Sequence, residues 1–280
     1  VWYGLSAELR RFVAAAKACL LAADVAGSAL PRTGAEETHR RQWIPRVFAQ
    51  VPSSDDLLAI VAERLGCRHD EVEAHLRPFQ RQVAEKAGPV TFVKAGCGSG
   101  KTLTAYYWAQ QCHPGRRVYI CYPTTGTATE GFRDYLFDLE DSTSKHGAAL
   151  FHSRSSVDLE VILGVSGDRE EVGGDEGDML IRIQSLAAWS TPIVACTVDR
   201  VLGLLQNHRT GLYAWPALAG AVFVFDEIHA YDDRLFGILL RFLRDHPGLP
   251  VLLMTASLPR ERFDALTDVM KHRGHDLPVI

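Results

Sequence analysis

The most constraining feature of this chain is the octapeptide Ala95-Gly-Cys-Gly-Ser-Gly-Lys-Thr102, set between the apolar run Val90–Val93 and a stretch of helical periodicity. Glycines let a backbone curl until its N–H groups point at phosphate oxygens, and the following helix N-terminus adds positive potential. In that role Gly96, Cys97, Gly98, Ser99 and Gly100 form the cradle for ATP. Lys101 reaches the β- and γ-phosphates, and the Thr102 hydroxyl binds Mg²⁺. The strict pattern opens on glycine where this chain has Ala95, so the match is to the looser Ala-x-x-Gly-x-Gly-Lys-Thr form. The competing reading is a glycine-rich turn with an incidental lysine, which would not need a strand before it and a helix after it.

That context demands an α/β fold, and the rest of the chain agrees. Short β-branched runs at Val90–Val93, Arg117–Cys121, Ala148–Phe151, Ile193–Cys196, Val222–Phe225 and Val251–Met254 predict strands. Between them, amphipathic patterns predict helices starting near Gly100, Ala128, Val198, Asp232 and Pro259. Strands apolar throughout, such as Ala221-Val-Phe-Val-Phe225, suit a parallel sheet covered on both faces. Upstream, Trp2–Leu30 has helical spacing and Pro31-Arg-Thr-Gly34 breaks it. A polar stretch with Glu36, Glu37, His39, Arg40 and Arg41 reads as a linker, followed by a helix that Ser54 caps and Gly66 ends. Residues 153–178, rich in Gly, Asp and Glu, read as a solvated insertion.

Composition excludes little. A net charge of −4 and 47% hydrophobic residues over 280 residues are ordinary for packed globular domains, and a nucleic-acid motor needs only a local basic rim. The six cysteines form no C-x-x-C pair, which argues against a zinc ribbon and fits a reducing cytosol. Phe12–Leu30 is interrupted by Lys17 and Asp24, so it reads as a buried helix rather than a membrane span, and the chain as cytoplasmic with no membrane partner. The first residue is Val1, which predicts a piece of something longer.

A second motif gives the phosphate loop a partner. Val222-Phe-Val-Phe-Asp-Glu-Ile-His229 places Asp226 at the carboxyl edge of the sheet, where α/β proteins bind ligands. There Asp226 holds Mg²⁺ beside Thr102, and Glu227 polarises the water that attacks the γ-phosphate. His229 then senses the nucleotide or contacts the next motif. Taken alone, an acidic pair after a strand is as often a helix N-cap. Gln80, in Arg77-Pro-Phe-Gln80, has an amide suited to adenine's donor and acceptor edge, or is an exposed glutamine at a helix start. Met254-Thr-Ala-Ser257 ends a strand with two hydroxyls, Thr255 and Ser257, suited to coupling hydrolysis to a partner lobe.

In this order, Gln80, Gly96–Thr102, Pro123-Thr-Thr125, Cys196-Thr-Val-Asp199, Asp226–His229 and Thr255-Ala-Ser257 resemble the motif series of superfamily-two helicases. Within them the chain resembles the CRISPR-associated helicase-nuclease of type I systems, through Tyr122-Pro-Thr-Thr-Gly-Thr-Ala128, His152, Thr197-Val-Asp-Arg-Val-Leu202 and above all Asp226-Glu-Ile-His-Ala-Tyr-Asp232. The resemblance implies a RecA-like first helicase lobe over residues 79–280, with the second lobe absent. It implies residues 34–78 as linker and helical segment, and residues 1–33 as the helical tail of an HD nuclease domain. Leu21-Ala-Ala-Asp-Val-Ala-Gly-Ser28 is similar to the end of that domain, making Asp24 a candidate ligand for its divalent transition metal; Asp24 reads equally as a helix-face acid making a local hydrogen bond. Arg200 stands where the family has Gln.

What the resemblance implies for function is ATP-driven movement along single-stranded DNA, recruitment by a crRNA-guided surveillance complex, and nuclease degradation of foreign DNA. Pro123, Thr124, Thr125, His152 and Thr197 would face the DNA backbone through contacts that read no sequence. Two rival readings remain: a superfamily-two RNA helicase outside CRISPR defence, and, for this piece alone, a nucleotide-binding module without turnover. A P-loop kinase has no use for Asp226–His229 and Thr255–Ser257.

Overall fold

Each predicted strand forms, and in the computed structural model all join one sheet. Residues 2–33, 37–151, 182, 186, 188–206 and 209–280 are described. The strands are β1 (Val90–Lys94), β2 (Val118–Tyr122), β3 (Ala148–Phe151), β4 (Ile193–Thr197), β5 (Val222–Phe225) and β6 (Val251–Thr255). Their order is β1-β6-β5-β2-β4-β3, with every pairing parallel. All carboxyl ends therefore lie on one edge. The outer side of β1 takes the C-terminal residues, where the Phe92 N–H donates to Pro278 O and Lys94 N–H to Ile280 O.

The helices are α1 (Ala7–Ala29), α2 (Glu37–Ala49), α3 (Ser54–Leu65), α4 (Pro78–Glu85), α5 (Lys101–Cys112), α6 (Thr125–Leu136), α7 (Val198–Leu202), α8 (Arg209–Leu218), α9 (Asp233–Asp245) and α10 (Arg260–His272). One face of the sheet, through Ile120, Val224 and Leu252, packs with Leu57, Ile60, Tyr106 and Trp108 from α3 and α5. The other, through Phe223, Phe225 and Leu253, packs with Leu239, Phe242 and Leu266 from α9 and α10. Strand side chains alternate faces, so strands covered on both sides are apolar throughout.

Three local expectations change. The polar stretch expected as a linker lies within α2 from Glu37 onward, because Trp43, Ile44, Val47 and Phe48 give it an apolar side that packs on Trp189. The cap of α3 is Ser53, not Ser54: its hydroxyl accepts from Asp56 N–H while the Asp56 carboxylate accepts from Ser53 N–H. Gly66 closes that helix at φ 65°, as expected. Third, α1 is buried only at its C-terminal half, through Ala22, Val25, Ala26 and Ala29, whereas Leu9, Phe12 and Leu20 are 44%, 69% and 73% exposed. By length and composition Ala7–Arg32 is long and apolar enough to cross a membrane. The acidic and glycine-rich 153–178 stretch lies outside the described residues.

Candidate nucleotide-binding site

Parallel pairing brings the distant motifs together. Lys94 is in register with Thr255, and Ala95 N–H donates to Thr255 O (3.0 Å), so the phosphate loop and the Thr255-Ala-Ser257 segment leave adjacent strands side by side. Asp226 follows β5, with its N–H donating to Cys121 O (2.9 Å). Gly98 (φ 69°) and Gly100 (φ 88°) adopt left-handed backbone, the conformation for which glycine pays no side-chain penalty. Gly96, Cys97 and Gly98 are exposed, and the Ser99 hydroxyl donates to Gly96 O at 2.6 Å.

Lys101 is buried, with Nζ 3.1 Å from Gly96 O and 3.4 Å from Glu227 Oε1. A buried ammonium needs such partners, and a phosphate arriving at the loop would supply a stronger one. Asp226 accepts the Glu227 N–H on Oδ1 (2.8 Å). Its burial, with the Glu227 charge beside it, pushes its carboxyl up to about 6, opposed by the Glu227 N–H bond and Lys101. Glu227 is one of few non-glycine residues in left-handed backbone (φ 46°, ψ 48°), a conformation costing roughly 1–2 kcal/mol. That turn aims its carboxylate back at Lys101. Its Oε2 lies 3.1 Å from His229 Nδ1 but is not aligned as a hydrogen bond.

His229 Nδ1 also lies 3.0 Å from Thr255 Oγ1, and that hydroxyl donates its proton to Ser257 O (2.6 Å). With its one proton committed, Thr255 must accept, so His229 carries its proton on Nδ1. Ser257 contributes its carbonyl, and its side chain faces solvent.

Gln80 is 2% exposed, contrary to the exposed-glutamine reading. Its Oε1 accepts Arg77 N–H (2.8 Å), and its Nε2 donates to Gly100 O (3.1 Å), tying the start of α4 to the phosphate loop. Thr124 caps α6 through Thr127 N–H; Pro123 and Thr125 are half-buried beside it, and Thr197 is buried at the end of β4. His152 lies outside the described residues. Arg200 stacks over Phe151 (5.9 Å). Asp24 is on α1, paired with Arg182 (2.8 Å), and the described residues hold no group of three or more His, Cys, Asp or Glu placed for a metal ion.

Two neighbours escaped sequence reading. Tyr135 lies beside the Thr102 side chain, with Arg64 over its ring at 5.1 Å. Arg262 donates to Tyr231 O (2.7 Å) and Asp233 Oδ1 (2.7 Å), clamping the segment after His229. Neither pairing has a local signal, since each partner comes from a different helix.

The pattern of the DEAD/DEAH box helicases matches residues 77–265. The chain belongs to the DEAD/DEAH box helicase family. It is 49% identical over 256 residues to a putative CRISPR-associated nuclease/helicase Cas3 of Myxococcus xanthus, covering 91% of this chain and 32% of that one. It is 31% identical to the CRISPR-associated endonuclease/helicase Cas3 of Thermus thermophilus, over 63% of this chain and 20% of the relative. The crystal structure of T. fusca Cas3-ATP aligns with a TM-score of 0.51 at 26% identity, over 72% of this chain and 24% of that one. The chain thus spans about a third of the length of the Myxococcus relative. The parallel sheet and its flanking helices are those of a RecA-like helicase lobe.

Proposed function

We propose that the longer protein containing this lobe is an ATP-dependent single-stranded DNA translocase of CRISPR interference, coupled to a metal-dependent HD nuclease. The observation that carries the motor reading is the continuous path from Lys101 through Glu227 and His229 to Thr255. It joins the group that holds the γ-phosphate to the strand end facing a partner lobe.

The residues fit ATP with Mg²⁺. Thr102 and Asp226 supply a hydroxyl and a carboxylate for the ion, whose charge would stabilise the transferring phosphoryl group. An Asp226 carboxyl pushed up by burial gains from a cation. Lys101 moves its contact from Gly96 O to phosphate oxygen, and Glu227, released from Lys101, orients the attacking water and takes its proton. His229, donating its Nδ1 proton to Thr255 with Glu227 Oε2 3.1 Å from the same nitrogen, reports the state of that carboxylate to the Thr255–Ser257 turn.

Recruitment by a crRNA-guided complex, contacts of Pro123, Thr124, Thr125, His152 and Thr197 with the DNA backbone, and a cytoplasmic setting belong to the same proposal, supported by the Cas3 relatives. So does the division of the chain into an HD-domain tail over 1–33, a connecting segment over 34–78 and the lobe from 79. The exposed Leu9, Phe12 and Leu20 on α1 favour the tail reading, because they offer an apolar stripe to a further domain. Asp24 as a ligand of that domain's transition metal is part of it, and requires Asp24 to leave Arg182. For these 280 residues alone we propose nucleotide binding without turnover, since the Myxococcus relative is about three times longer.

The test is ATP hydrolysis by the full-length protein with and without single-stranded DNA. Stimulation by DNA, abolished by Lys101→Ala, is expected. Absence of stimulation, or stimulation by RNA alone, would overturn the DNA-motor reading.

A further inference from the structure

The sheet edge opposite the phosphate loop carries a second concentration of charge. Chain direction puts the entries to β2, β5 and β6 there, and α1 lies across them. A cavity of about 420 Å³ opens between α1 and the turn Pro247–Leu249, and Arg10, Arg11 and Arg116 line it. A neighbouring cavity of about 330 Å³ shares Ala14, Trp215, Asp245 and His246 with it, and adds Lys17 and Arg241. Asp245 is the one acid lining either cavity among the described residues, and its carboxylate is already taken by Arg241 (3.2 Å) and Arg244 (3.5 Å).

The surrounding wall holds polar nitrogens that no group satisfies. Arg10 Nε, Arg273 Nε and both ring nitrogens of His246 are buried without a hydrogen-bond partner among the described residues. Buried polar atoms are ordinarily paired, and three of these four belong to Arg10 and His246, which line the cavity. The cations also crowd each other. Burial and then Arg10 lower the Arg273 guanidinium to about 10, while burial and then Arg116 lower His113 to about 4. Positive charge accumulated around a cavity whose one lining carboxylate, Asp245, is already paired with Arg241 and Arg244 favours a bound anion.

We propose that this cavity binds a small phosphate-bearing molecule, separate from the ATP site, between α1 and the amino edge of the helicase sheet. Arg11 and Arg116 line the cavity, and the forked N–H donors of arginine bind phosphate oxygens in pairs. Arg10 lines the cavity with its Nη1 committed to Arg244 O (3.1 Å), and Arg273, outside the lining, adds field rather than contacts. Such a ligand would brace α1 against the lobe, since it bridges Arg11 of α1 to the Pro247–Leu249 turn and Arg116.

The test is calorimetric titration of inorganic pyrophosphate into the full-length protein carrying Lys101→Ala, which disables the phosphate loop. One site per chain is expected, weakened about tenfold or more by Arg11→Glu with Arg116→Glu, and restored by the Arg11→Lys and Arg116→Lys pair. Thermal melting with and without pyrophosphate should show stabilisation in the Lys101→Ala protein and none in the charge-reversed one. Absence of binding, binding indifferent to the charge reversal, or binding of a single-stranded oligonucleotide but not of pyrophosphate overturns the assignment. The outcome does not depend on the translocase reading, because no DNA or hydrolysis enters the measurement.

Discussion

His229 donates its Nδ1 proton to Thr255 Oγ1 across 3.0 Å, and Thr255 passes its own proton to Ser257 O. One imidazole thus links the acidic turn after β5 to the end of β6, two places 26 residues apart.

Thr255→Val keeps the buried shape and deletes the acceptor. A neutral hydrogen bond of this kind contributes about 1 kcal/mol, so DNA-stimulated hydrolysis should fall roughly fivefold to tenfold. Nucleotide affinity should hold, because Thr255 lies outside the phosphate loop. Parallel measurement of ATPase rate and nucleotide binding checks this, and an equal loss in both would refute the coupling role.

Lys101→Ala removes the cation from a pocket where it meets Gly96 O and Glu227 Oε1. Hydrolysis should fall by about 100-fold or more, as when other electrostatic contacts to a developing charge are deleted. The fold should survive, and a far-ultraviolet spectrum unchanged from the parent would separate lost chemistry from lost structure.

Gln80 serves two bonds that substitutions can split. Gln80→Ala loses both and should cost about 1–3 kcal/mol of stability. Gln80→Glu keeps an acceptor for Arg77 N–H but has no donor for Gly100 O. The glutamate variant should therefore recover much of the stability and still bind nucleotide more weakly. Denaturant titration with nucleotide binding tests the split; full recovery of both by Glu would refute it.

His246, together with His113, supplies pH dependence below neutrality. Burial lowers the His246 imidazole to about 4, opposed by Asp245 and helped by Lys17 and Arg241. A histidine depressed in the folded state is protonated first in the unfolded chain, so stability is full above about pH 6.5 and lost as pH falls toward 4. The loss is up to about 3 kcal/mol. His246→Phe should make unfolding free energy flatter between pH 7.5 and 5; an unchanged slope would rule His246 out as a source.

Much of this was legible in the linear chain because it is local. Six strands follow from β-branched apolar runs, the phosphate loop from the spacing of Gly96, Gly98, Gly100 and Lys101, and the end of α3 from Gly66. Sequence reading failed where a side chain's partner is remote. The stretch read as a linker becomes α2 because Trp43 and Phe48 meet Trp189, and Gln80 is buried because Gly100 lies over it.

By itself the sequence determined the six strands, the parallel sheet and the glycine-rich turn between β1 and α5, since each depends on periodicity or on glycine's access to positive φ. Only the tertiary structure decided that His229 points at Thr255, that Tyr135 meets Thr102, and that Arg10, Arg116 and Arg273 gather at one edge. Those relationships depend on strand order and helix packing, which bring together residues whose separation along the chain carries no signal.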